Sequence, residues 1–91
     1  MDNWERVIVA LEYLLQFQKD PARDVAAVVR TIMEQRSLPY SPSVVLTALR
    51  CAQTSNKNLA ELLPKQPHSD RLLRKVFSAI RERLEARRAA V

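Results

Sequence analysis

The chain reads as an all-α protein, a compact bundle of four main helices plus one short helix. Three observations predict this. Its 91 residues contain no glycine, and five prolines provide the punctuation. Apolar residues recur at helical spacing through every long segment. The connections between those segments are short, so residues 1–91 are expected to form a single helical domain. The absence of glycine also bears on function. Glycine lets backbone approach a phosphate closely and supplies the left-handed turn of tight hairpins. Without it there is no P-loop and no dinucleotide-binding fingerprint.

The first helix is expected over about 3–18, capped by Asp2 or Asn3. Trp4, Val7, Ile8, Leu11, Leu14 and Leu15 keep the i, i+3, i+4, i+7 pattern and make one face. Val9, Tyr13 and Phe17 make a second stripe, roughly opposite. One core needs only one stripe, so the second is expected to meet something else or to be exposed.

Asp20-Pro21 pairs a capping residue with a proline at the first helical position, placing the second helix over about 21–36. Val25, Val28, Val29, Ile32 and Met33 dominate it, and Ala22 and Ala26 widen its apolar arc, so it reads as the most buried helix. Its many β-branched residues suit a strand, but their period is helical and the segment is long for a strand. Ser41-Pro42 repeats the device and starts a third helix over about 42–53. Val44, Val45, Ala48, Leu49, Cys51 and Ala52 are expected to face inward there. A short helix over about 58–63 ends before Pro64. Ser69 caps the last helix, about 70–89, with Asp70 favourable in its first turn. Leu72, Leu73, Val76, Phe77, Ile80 and Leu84 form its core stripe, and Arg83 and Arg87 then take over that face. Either the helix outruns the bundle, or its end meets an acidic partner.

The net charge is +5, unevenly spread. Residues 1–69 hold eight Lys/Arg against seven Asp/Glu, whereas residues 70–91 hold seven against three. The basic character therefore belongs to the last helix. No apolar run approaches the ~18 residues of a membrane span. The first residues lack the pattern of a secretory signal, so a cytoplasmic location is expected. One cysteine and one histidine offer neither a disulfide nor a Cys/His zinc site, and no cofactor is expected.

No enzyme signature emerges. His68-Ser69-Asp70 holds the residue types of a catalytic triad, but adjacent residues cannot converge as a triad must. The run reads instead as a capped helix start. Cys51, on an inward arc, reads as a small buried hydrophobe rather than a nucleophile served by His68. The carboxylates are scattered along polar faces. Two L-x-x-L-L runs, residues 11–15 and 59–63, resemble helix-in-groove anchors but also arise in any leucine-rich amphipathic helix.

Two functional readings remain. The leading one is a non-enzymatic interaction or regulatory protein that docks on a protein partner or self-associates. Its contact residues would be Arg6, Val9, Tyr13 and Phe17 on the first helix and Tyr40 in the proline-bounded connector. The basic residues Arg81, Arg83, Arg87 and Arg88 would steer an acidic partner. The second helix and the third also carry wider apolar arcs than a small bundle demands. The alternative is a small DNA-binding regulator of helix-turn-helix outline, tracking phosphates with Arg71, Arg74, Lys75, Arg81 and Arg88. Glu61, Glu82 and Glu85 weigh against that alternative, because carboxylates repel phosphate.

Overall fold

A computed structural model describes residues 3–16, 18–34 and 38–89. Four α-helices and one 3-10 turn follow one another: α1 (Asn3–Leu15), α2 (Val25–Glu34), α3 (Pro42–Thr54), the turn Leu59–Glu61, and α4 (Asp70–Ala89). No strand occurs among the described residues. The all-α expectation holds, with the short helix reduced to a single 3-10 turn.

The expected start of α3 is met in detail. Ser41 is extended (φ −69°, ψ 158°) and its side chain accepts the Val44 N–H at 3.3 Å, with Pro42 entering the first turn. Ser69 does the same for α4, its Oγ accepting the Leu72 N–H at 3.2 Å. Two boundaries differ. α1 ends at Leu15, three residues early, and the Gln18 N–H bonds back to the Leu15 carbonyl at 3.0 Å. Asp20-Pro21 opens a turn rather than a helix. The Arg23 N–H bonds the Asp20 carbonyl at 3.1 Å, and regular i→i+4 bonding begins only with Val28 N–H to Asp24 O. A proline's fixed φ suits a tight i→i+3 turn as well as a helix, so the device marks a start without fixing its length. The expected cap Asp2 and the expected end of the second helix, residues 35–36, lie outside the described residues.

The core is one continuous cluster fed by every element, centred on Ile8, Leu11, Leu15, Ile32, Leu49, Leu73, Phe77, Ile80 and Leu84. α4 packs against α3, α2 and the 3-10 turn, while α1 lies mainly on α3. Within α2, Val25, Val28, Val29 and Ile32 are buried. Ala22 and Ala26, expected to widen that face, are exposed instead. α3 buries Leu46, which the expected arc omitted, and leaves Val44 45% exposed. Cys51 is only half-buried. α4 keeps its core stripe through Leu84, the last buried residue among those described. Arg87 follows Ile80 by seven residues, on the same side of the helix, yet is exposed. A helix rises ~1.5 Å per residue, so the turn after Leu84 extends past the apolar core.

The missing glycine leaves two marks. Lys65 holds φ 62°, the left-handed region in which glycine is the usual occupant. At the end of α3, where a glycine cap would commonly redirect the chain, Ser55 stays extended and a side chain from α4 closes the helix. Arg74 Nη1 donates to Ala52 O at 3.1 Å, and Nη2 donates to Ser55 O at 2.9 Å and Lys57 O at 2.7 Å. Its Nε pairs with Asp70 at 2.9 Å, and the other oxygen of Asp70 accepts the Leu59 N–H at 2.7 Å. One Arg–Asp pair thus ties the end of α3, the connector and the 3-10 turn to the start of α4.

Candidate functional site

α1 and α3 pack with their first turns open to solvent along one side. There a groove of about 240 Å³ is lined by Trp4, Val7, Ser43, Val44, Thr47 and Ala48. Each wall follows from helical spacing. Trp4 and Val7 are one turn apart on α1; Val44, Thr47 and Ala48 are neighbours at i, i+3 and i+4 on α3. The Thr47 hydroxyl donates back to Ser43 O at 3.1 Å, so its proton is satisfied within α3. Val44 is one of two large hydrophobics exposed among the described residues, Tyr13 at 53% being the other.

Two cations lie near this groove, each facing a carboxylate. The Lys57 ammonium sits 5.8 Å from the centre of the Trp4 ring and is ion-paired with Glu5, itself almost fully buried. Arg50, one turn beyond Thr47, is exposed and makes a long 3.8 Å pair with Glu85. Such an apolar slot can seat a large apolar side chain, and carboxylates flanking it would compete with Glu5 and Glu85 for the two cations.

The contact residues read from the sequence fall in separate places. Arg6 and Tyr13 are exposed on α1 and Val9 is half-buried between them; Phe17 lies outside the described residues. Tyr40 packs against the core cluster rather than standing free in its connector. Arg83 and Arg87 are exposed on the last turns of α4, and the side chain of Arg88 lies outside the described residues. Arg81 pairs with Glu85 at 3.4 Å. Of the phosphate-tracking row, Arg71 and Lys75 are exposed, whereas Arg74 is committed to three carbonyls and Asp70. Helical period alone does not mark the groove, because it places Trp4 and Val44 on core faces. The wide apolar arc of the third helix was the signal that α3 has apolar surface to spare.

A second polar region lies inside the molecule, and it corrects the expectation that carboxylates keep to polar faces. Glu12, on α1, is completely buried. Its Oε1 accepts from Gln66 Nε2 at 3.0 Å, and its Oε2 has no hydrogen-bond partner. Burial pushes its pKa up from 4.5 to about 7; the Gln66 bond opposes the rise and the Asp70 charge adds to it. Nearby, His68 Nε2 donates to Leu15 O at 3.0 Å, and the Gln66 side-chain oxygen accepts the His68 N–H at 3.3 Å. His68, Ser69 and Asp70 therefore serve an α1 carbonyl, a helix cap, and the Arg74 and Leu59 contacts respectively. Among the described residues no group of three or more His, Cys, Asp or Glu could hold a metal ion. No helix there is long and apolar enough to cross a membrane.

Searches for related proteins found no matching family model, no matching curated protein and no matching solved structure.

Proposed function

We propose that this is a non-enzymatic docking protein whose α1–α3 groove receives an acidic amphipathic segment of a protein partner. The observation that carries the reading is the groove: an apolar slot between Trp4 and Val44, open to solvent, with Lys57 over the Trp4 ring. Its size decides the kind of occupant. A stable homodimer typically buries ~800 Å² on each partner. Tyr13 and Val44 are the only large hydrophobics exposed among the described residues, and Tyr13 does not line the groove. That is too little for two copies to cover, but it suits one or two anchor side chains from a helix. The +5 net charge, concentrated on α4, favours an acidic partner, and carboxylates beside the anchor would compete with Glu5 and Glu85 for Lys57 and Arg50. Exposed Arg6, Arg83 and Arg87 would add to long-range steering rather than to the seat itself.

The test uses a displayed library of amphipathic helical peptides, selected against the wild-type protein and counter-selected against Val44→Arg. Enriched peptides are expected to combine a large apolar residue with flanking Asp or Glu. They should change the emission of Trp4, the single tryptophan. Val44→Arg should weaken them at least ~10-fold, the effect of about 1.4 kcal/mol. Peptides without acidic bias, or binding that ignores Val44→Arg, would refute the reading. The protein alone should sediment as a monomer.

DNA binding through α4 is the second reading. It draws support from Arg71, Lys75, Arg83 and Arg87, which are exposed and make no ion pair among the described residues. It is weakened by the structural commitment of Arg74. A gel shift that fades steeply between about 50 and about 200 mM salt would favour it; no shift at low salt would remove it.

A further inference from the structure

The segment that joins the 3-10 turn to α4 crosses the flank of α1 and is held there by few bonds. Gln66 reaches the Glu12 carboxyl at 3.0 Å, and the His68 imidazole reaches the Leu15 carbonyl at 3.0 Å. Leu59, just before the segment, and Leu63, within it, are buried and anchor its start. The path requires left-handed backbone at Lys65, unfavourable for a residue with a Cβ. A strained strap is therefore fastened across more than fifty residues of sequence by two side-chain contacts, one of them a carboxyl with an unpartnered buried oxygen.

From this geometry we infer that residues 62–69 form an acid-tightened clasp on α1, closed when the Glu12 carboxyl is neutral and loosened when it ionises. The reason lies in what surrounds Glu12. The 62–69 segment presents the Gln66 amide, whose bond favours the carboxylate but meets only one oxygen, the His68 imidazole, which is spent on Leu15 O, and Lys65, which is exposed. From α4 the Asp70 carboxylate, which is paired with Arg74, opposes ionisation. On α1 itself the neighbouring carboxylate, Glu5, two turns earlier, takes Lys57 as its partner. The 3-10 turn contributes Glu61, which is exposed. Glu12 has no ion pair with any of these groups. A neutral carboxyl tolerates such a place, but a carboxylate needs water or a cation, and opening the strap supplies water. The upward displacement of Glu12 to about 7 agrees with this environment. With an ordinary carboxyl pKa in the open form, opening becomes easier as pH rises from about 4.5 and levels off above about 7. The consequence is a pH-dependent exposure of Leu63, distinct from the groove on the far end of α1.

Amide hydrogen exchange tests the clasp. Protection of residues 63–69 is measured in the wild type and in Glu12→Gln at each pH, so that the intrinsic exchange rate cancels in the ratio. Relative to Glu12→Gln, wild-type opening is expected to grow about 50-fold between about pH 5 and about pH 7.5. The same growth should persist in His68→Gln, which keeps an amide donor but cannot titrate. A ratio constant within about threefold overturns the clasp, and so does loss of the pH dependence in His68→Gln. Should Glu12→Gln fail to fold, carboxyl carbon-13 NMR of the wild type decides. Glu12 titrating near neutrality together with loop exchange supports the inference, and titration in the ordinary carboxylate range overturns it.

Discussion

Replacing Arg74 with alanine should remove the joint that stands in for a glycine cap. The guanidinium makes three bonds to carbonyl oxygens, of Ala52, Ser55 and Lys57, and one ion pair with Asp70. Each carbonyl bond contributes about 1 kcal/mol net. The i, i+4 ion pair adds only about 0.4 kcal/mol, because both side chains are close to one-third exposed. The sum is about 3 kcal/mol, a large share of the roughly 5–15 kcal/mol that holds a small domain folded. For a chain of this size that corresponds to a fall in Tm of about 15 °C. Arg74→Lys keeps the charge but loses the planar fork, and one ammonium does not reach all three carbonyls from one position. Its cost should be about half. Urea and thermal unfolding followed by circular dichroism measure both. An alanine variant within about 0.5 kcal/mol of wild type would show that the clamp contributes nothing, and a lysine variant equal to wild type would show that the planar fork is dispensable.

Two further outcomes follow from the same geometry. Glu12 is raised from 4.5 to about 7, so below about pH 4.5 it is neutral whether folded or unfolded and carries no penalty. As pH rises to about 7, the unfolded chain ionises while the folded chain does not, and stability falls by about 3 kcal/mol before levelling off. Glu12→Gln should therefore match the wild type near pH 4.5 and exceed it by about that amount at pH 8, as read by urea denaturation across pH. Lys65→Gly should relieve the left-handed backbone at φ 62° and raise stability by up to about 1 kcal/mol, the entropy of a more flexible unfolded chain offsetting part of the gain; chemical unfolding midpoints check it.

The elements legible in the sequence are those governed by short-range rules. Ser41-Pro42 and Ser69 mark helix starts because a hydroxyl and the N–H it caps are only three residues apart. The stripe from Leu73 to Leu84 marks a buried face because helical period alone decides it. What escaped depends on pairs far apart in the chain. Val44 shares the apolar arc of α3, and only the packing of α1 on α3 leaves it at a groove instead of under one. Glu12 lies between Leu11 and Tyr13 on α1, and nothing local indicates that a strap fifty-four residues later will cover it. Arg74 looks like one of a heptad row of arginines, and its role appears only when the end of α3 is brought against α4.

Two of these, Glu12 and Arg74, share a cause. A chain without glycine has fewer ways to end a helix or turn sharply using backbone alone, so the work passes to side chains reaching across the fold. Arg74 closes α3 from α4, and Gln66 and His68 hold a turn that Lys65 makes in the left-handed region. Side-chain closures are weaker and more condition-dependent than a backbone cap, since each rests on a rotamer, a charge or a protonation state. Conformational regulation in this molecule should therefore concentrate at its connectors, residues 55–58 and 62–69, while the helices themselves stay fixed. Partner docking at the α1–α3 groove uses only fixed helix faces. The two properties can be separated by substitution: Val44→Arg should alter docking without touching the pH response, and Glu12→Gln the reverse.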